Sequence, residues 1–226
     1  MTATLYRRAA LADGTSERLQ HDVSVLSVDG RIAWIRPTDD EGPPPAGGPP
    51  VVIDAHGSTI VPGLVDAHAH VTLPGGASWI ARIDDPVEDL LAAAEHNARL
   101  LGRAGVRWIR DVGSPRVERP GAPGPRALAL DVRDGWRDRR DVPYIRAAGT
   151  WLMRAGTLAT PRTVSVDDAD ALLAAAAVQL ADGADLLKLY LDGPEPGVAP
   201  WSLAEVERVV ALAHAGGARV TAHSGT

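Results

Sequence analysis

Cysteine is absent from the 226 residues, which excludes disulfide frameworks and zinc sites built on thiolates. No stretch reaches the ~18 consecutive apolar residues that a membrane-spanning helix needs. The opening residues, MTATLYRRAALADGTSERL, hold no apolar core of a secretory leader. The expected location is therefore cytoplasmic, with no membrane partner. Basic charge is in the minority, 23 side chains against 29 acidic ones for a net charge of −6. That balance speaks against nucleic acid, which needs a basic footprint. Lysine is almost missing: the basic residues are arginines except Lys188. A chain that decorates itself with arginine has not kept its one lysine as a generic solubilising charge.

What is present fits a folded protein. With 45% apolar residues, the length allows one large α/β domain, or a small domain plus part of a larger one. Glycine and proline, 23 and 18 residues, stay below the roughly 25–30% that marks low-complexity chains. Residues 1–62 read as short β-strands at 4–6, 23–28, 31–35, 51–54 and 59–61, with Asp29-Gly30 as a hairpin turn. The acidic, Pro/Gly-rich stretch 37–50 reads as a loop. From residue 63 onward strands and helices alternate. The strands are expected at 64–70, 106–112, 144–148, 186–191 and 219–223. One helix opens with Asp85 as N-cap, Pro86 at its first position and Glu88 closing a capping box. A second lies near 126–137, a third starts at Asp167, and a fourth has Ser202 as N-cap with Glu205 three residues on.

Such alternation predicts parallel βαβ units. The spacing of the strand starts suits an α/β fold of the (β/α)8 barrel type, of which 63–226 would hold about five units. A doubly wound open sheet is the rival, but no Gly-rich phosphate loop follows the first strand. The sequence ends at His223-Ser224-Gly225-Thr226, directly after a strand. The expectation is a fragment, a truncated product, or a piece completed by another chain.

Chemistry-bearing residues collect at strand C-termini, where barrel sites sit. In VPGLVDAHAH, His68 and His70 are two apart, so their rings share one face and could share a metal at about 2.0–2.1 Å. A hydrogen-bonded interior pair is the alternative. Asp66, in phase with both, could orient them. Lys188 lies in the apolar run ADLLKLYLDG, where an unpaired ammonium is costly. It must be neutral, ion-paired, a Schiff-base former, or converted by carbon dioxide into an anionic carbamate. His223 closes the fifth strand. Asp111 at the end of strand two could line the site or cap a turn. Trp151, Met153 and Arg154, expected in a long rim loop, could touch substrate, as could Tyr190 and Asp192. His21, His56, His96 and His214 read as ordinary surface or packing residues.

Taken together, VVIDAHGSTIVPGLVDAHAHVTLP, AGVRWIRDVG, GADLLKLYLDG and VTAHS resemble the amidohydrolase superfamily, nearest its prolidase-like and imidazolonepropionase-like branches. Val71-Thr72-Leu73 after the H-x-H, where the dihydroorotase and hydantoinase branch has Arg, points away from that branch. Residues 144–161 differ from the Gly/His-rich loop common in prolidase-like members. The resemblance implies a metal-dependent barrel flanked by a small β-sandwich, to which residues 1–62 would contribute. It implies His68 and His70 on one divalent metal, Lys188 as a carbon dioxide-derived carbamate bridging two, and His223 on the second. Zinc is the expected metal, as one or two ions. The family's later His and proton-shuttling Asp have no positions here, so little or no turnover is expected from the chain alone. The implied activity is hydrolysis of carbon–nitrogen bonds, in amides, dipeptides, cyclic amides or esters, by a metal-activated hydroxide. The alternatives are an inactive metal-binding half-barrel and a metal-free Schiff-base lyase using Lys188. The expected partners are a small-molecule substrate and either a second copy of the chain or a missing C-terminal part.

Overall fold

The structure, a computed structural model, describes residues 2–121, 124–158, 161–193 and 195–225. It is an α/β protein whose chain divides into two compact units between Gly63 and Leu64.

The first unit is built on β1 (Ala3–Leu11), β2 (Gln20–Val28) and β3 (Arg31–Pro37), which pair antiparallel in sequence. The β2–β3 turn is Asp29-Gly30, both at positive φ, as a two-residue hairpin matched to strand twist requires. Strands β4 (Val51–Asp54) and β5 (Thr59–Ile60) then add parallel to β1. Alternating side chains of β1 and β2, among them Leu11, Val23 and Val25, form its core. The stretch 41–50 carries no regular element.

In the second unit strands and helices alternate: β6 (Leu64–Ala69), α1 (Val87–Arg103), β7 (Val106–Asp111), β8 (Arg116–Val117), β9 (Arg126–Ala127), α2 (Leu128–Gly135), β10 (Tyr144–Ala147), β11 (Trp151–Arg154), β12 (Val164–Val166), α3 (Ala169–Ala181), β13 (Leu186–Tyr190), α4 (Leu203–Ala215) and β14 (Arg219–His223). Parallel pairing runs β10-β7-β6 and β12-β11-β13-β14, while β8 and β9 form a small antiparallel pair. The helices bury their apolar stripes on these strands. Ala94 of α1 and Leu130 of α2 pack with Ile109 and Ile145, and Leu172 of α3 and Val209 of α4 pack with Leu187 and Leu189.

Three expectations differ from what forms. Helix α1 starts at Val87 with Pro86 as N-cap and no side-chain cap, because the Asp85 carboxylate is taken by Arg82. Helix α3 is capped by Asp168, one residue later than expected, through the Ala171 N–H at 2.8 Å. The expected rim loop after residue 148 is strand from Trp151 to Arg154. Here β10 pairs with β7, the chain bends at residues 148–150, and β11 pairs with β13. Gly149 makes the bend at φ +82. Buried Gln179 of α3 stitches it by accepting the Thr150 N–H at 2.7 Å and donating to the Thr150 carbonyl at 3.2 Å. The Ser202–Glu205 capping box at α4 forms as expected.

Candidate functional site

Strand ends carry the chemistry together. His68 lies in β6 and His70 follows it, Lys188 sits inside β13, and His223 ends β14 with Tyr190 as its direct cross-strand partner. All five line one cavity of about 460 Å³ with Trp79, Trp151 and Leu158. The lining is largely apolar, so donors within it are poorly solvated.

His70 is the most constrained of these residues. Its ring stacks on Trp79 at 5.1 Å between centroids and leans on Trp151 at 5.2 Å. Its Nδ1 lies 2.8 Å from the Gly113 carbonyl. A carbonyl only accepts, so Nδ1 carries the proton and Nε2 presents its lone pair. Burial pushes the His70 pKa down to about 4, against the Gly113 hydrogen bond and with the charges of His68, Lys188 and His223 adding to the effect. This imidazole is neutral at neutral pH. The His68 ring stands edge-on to it, 5.6 Å away. Partial burial, then the positive charges of Lys188, His223 and Arg110, lower the His68 pKa as well.

Lys188 is 1% exposed, and its Nζ has no hydrogen-bond partner among the described residues. The ion pair with an aspartate, one of the readings open from sequence, does not form among them. Burial lowers the lysine's pKa, and the Arg110 guanidinium pushes the same way. An unpartnered buried amine is a donor waiting for chemistry or a ligand. His223 is engaged differently: its ring stacks on Tyr190 at 4.9 Å, and its Nε2 lies 3.1 Å from Asp192 Oδ2. Asp192 also accepts the Gly225 N–H at 2.7 Å. Among the described residues, no three His, Asp or Glu side chains are grouped tightly enough to hold an ion by themselves. The three imidazoles and the lysine line one cavity, and the third imidazole, His223, is also held by Asp192.

The remaining expected residues have other duties. Asp66 stands at a register slip in the pairing of β6 with β7. Its carboxylate accepts the His68 backbone N–H at 3.0 Å and lines a neighbouring cavity of about 390 Å³ beside α1. Asp111 does not line the site. It is fully buried and accepts the N–H groups of Val71 at 2.7 Å and Gly113 at 3.0 Å, and burial outweighs those bonds to push its pKa up to about 7. Met153 is core, packed with Leu90 and Leu128. Arg154 leaves the cavity for the Pro200 carbonyl at 2.5 Å and the Trp201 ring. Of the three residues expected to follow strand three as a rim loop, Trp151 alone lines the cavity. Trp79 and the Gly113 carbonyl were not foreseen. Trp79 lies outside any periodic pattern, and a carbonyl leaves no mark in a sequence.

No family profile matches the chain. It is 33% identical over 205 residues to an uncharacterized protein of Mycobacterium tuberculosis (strain ATCC 25618 / H37Rv), covering 89% of this chain and 46% of that protein. It is 42% identical over 140 residues to an imidazolonepropionase of Anaeromyxobacter dehalogenans (strain 2CP-1 / ATCC BAA-258), covering 48% of this chain and 33% of the enzyme. In fold it matches a solved Xaa-Pro dipeptidase with methionine in its active site, at TM-score 0.78 and 23% identity, over 99% of this chain and 57% of that one. The chain thus spans about half the length, or less, of the curated relatives it matches.

Proposed function

Because the chain belongs to the amidohydrolase superfamily, we propose that it carries the metal-holding part of a hydrolase that cleaves carbon–nitrogen bonds in amides, dipeptides or cyclic amides. In this reading β6, β7, β10–β11, β13 and β14 are five consecutive strands of a (β/α)8 barrel, and the first unit is part of a small β-sandwich. His68, His70, Lys188 and His223 hold one or two divalent ions, zinc by preference, with Lys188 carboxylated by carbon dioxide. Location in the cytoplasm, a small-molecule substrate, and completion by a C-terminal part or a second copy belong to the same proposal.

The single observation that carries it is the Lys188 amine, buried without a partner among the described residues in the cavity that His68 and His70 line. The donor set fits a divalent ion. His70 offers Nε2 with no proton to displace, His68 stands beside it, and burial lowers the Lys188 pKa, which favours the neutral amine that adds to carbon dioxide with release of a proton to solvent. The carbamate so formed is an anion, which the positive charge of Arg110 favours. A bound ion would supply water of pKa about 7 and polarise the scissile carbonyl. The chain's own residues do the rest. Trp79 and Trp151 clamp His70 and keep bulk water from its ring, and Tyr190, stacked on His223, presents a hydroxyl at the cavity wall. For His223 to bind an ion through Nε2, it must leave Asp192.

A second reading, a metal-binding chain without turnover, is favoured by one feature: no carboxylate lines this cavity among the described residues. Proton transfer to a leaving amine calls for such a group. Elemental analysis of the chain prepared in zinc and bicarbonate, beside assays on dipeptides and lactams, tests both. Zinc retained by the chain and lost on His70→Ala is the expected result, with little turnover. Robust zinc-dependent hydrolysis would eliminate the inactive reading, and failure to retain zinc would eliminate both.

A further inference from the structure

We infer that Asp111 is a positioning residue for the metal site, holding His70 in one tautomer and one direction through two backbone N–H groups. The inference rests on the metal-binding reading of His70 given above. One carboxylate oxygen accepts the N–H of Val71, the residue directly after His70, at 2.7 Å. The other accepts the N–H of Gly113 at 3.0 Å, and the Gly113 carbonyl in turn receives the His70 Nδ1–H at 2.8 Å. A single side chain therefore fixes both the backbone leaving His70 and the peptide that orients its ring. The regular β6–β7 pairing ends at Ala69 and Asp111, so beyond it this carboxylate takes over the task of the ladder. A turn-capping role alone would need only the bond to Gly113. The bond to Val71, in the turn that follows β6, is what joins the Gly113 turn to the histidine.

The geometry leaves little slack. Gly113 sits at φ +137, and a Cβ there would lie 2.8 Å from the Trp151 ring, the same ring that leans on His70. Groups one bond beyond a metal ligand typically change metal affinity by about 10–100-fold when replaced. Asp111 stands one step further out, acting through a peptide group rather than on the imidazole itself.

The test is zinc affinity together with the His70 tautomer, read by ¹⁵N NMR of histidine-labelled chain. Asp111→Asn keeps the shape but turns one acceptor oxygen into a donor facing a backbone N–H. The expected result is zinc binding weakened about 10-fold or more and loss of the uniform Nδ1–H form at His70, in a chain still folded by circular dichroism. Arg133→Ala serves as the control. It breaks bonds to Asp185 and the Gly183 carbonyl, groups that do not touch His70, and should leave both readouts unchanged. Wild-type zinc affinity and an intact Nδ1–H tautomer in folded Asp111→Asn would overturn the inference. If that variant does not fold, the unmodified metal-free chain decides: His70 protonated at Nδ1, with slowly exchanging Val71 and Gly113 amides, supports it, and His70 protonated at Nε2 overturns it. Absence of zinc binding in the unmodified chain would refute the metal reading instead, while the tautomer still judges Asp111.

Discussion

At the scale of single residues, the cavity is an economy of unmet demands. Lys188 has lost water without gaining a partner among the described residues, and a buried polar group left unsatisfied costs about 1–3 kcal/mol. Replacing it by an unbranched apolar side chain of similar length removes that cost along with the chemistry. Lys188→Met should therefore raise the stability of the metal-free chain by about 1–3 kcal/mol while abolishing bicarbonate-dependent zinc binding. Urea unfolding and zinc titration of the same samples check the two halves, and a destabilised variant would mean that the amine has a partner in solution. This residue was conspicuous in the sequence because a lone lysine in an apolar run has few explanations. The histidines were legible through spacing, since H-x-H at a strand end can only put two rings on one face. For Asp66 spacing is silent on the register slip between it and Ala69 and on the bond its carboxylate accepts from the His68 N–H. The bond from Val71 to Asp111 spans 40 positions and has no local signature at all.

At the scale of elements, the bend at residues 148–150 decides which side chains reach the cavity. Without it, Trp151 would continue the direction of β10 and Lys188 would lack its cross-strand neighbour. The bend has two supports, the positive φ of Gly149 and the amide of Gln179. A Cβ at residue 149 would lie 2.0 Å from Gln179 Oε1, so Gly149→Ala strains the backbone and expels the amide that satisfies Thr150. A loss of about 2–4 kcal/mol is expected, read as a lower denaturation midpoint; an unchanged midpoint would show that the bend is not held this way. From sequence, Trp151, Met153 and Arg154 were expected in a long rim loop after strand three, and the glycine at 149 is compatible with that reading. A strand that changes neighbours halfway leaves that same mark. The starts of β6, β7, β10, β13 and β14 were legible to the residue, because Gly63, Gly105, Pro143, Asp185 and Gly217 punctuate the chain at or just before them. The α1 cap was not, since an arginine three residues upstream captured the expected capping group.

At the scale of the whole molecule, regular alternation of strand and helix made the α/β class readable, and the motif set made the superfamily readable. The degree of convergence was not. Sequence placed three imidazoles and an amine on one rim, and the structure brings them to one cavity, yet with His223 held by Asp192 and no preformed cluster of three acidic or imidazole ligands among the described residues. In the proposed reading, metal binding would draw His223 away from Asp192. X-ray absorption at the zinc edge, on the zinc-loaded chain in bicarbonate, addresses this most directly. Nitrogen and oxygen donors at about 2.0–2.1 Å, with imidazole scattering that diminishes in His68→Ala, His70→Ala and His223→Ala, is the predicted spectrum. A spectrum unchanged by all three substitutions would place the ion elsewhere and contradict the account.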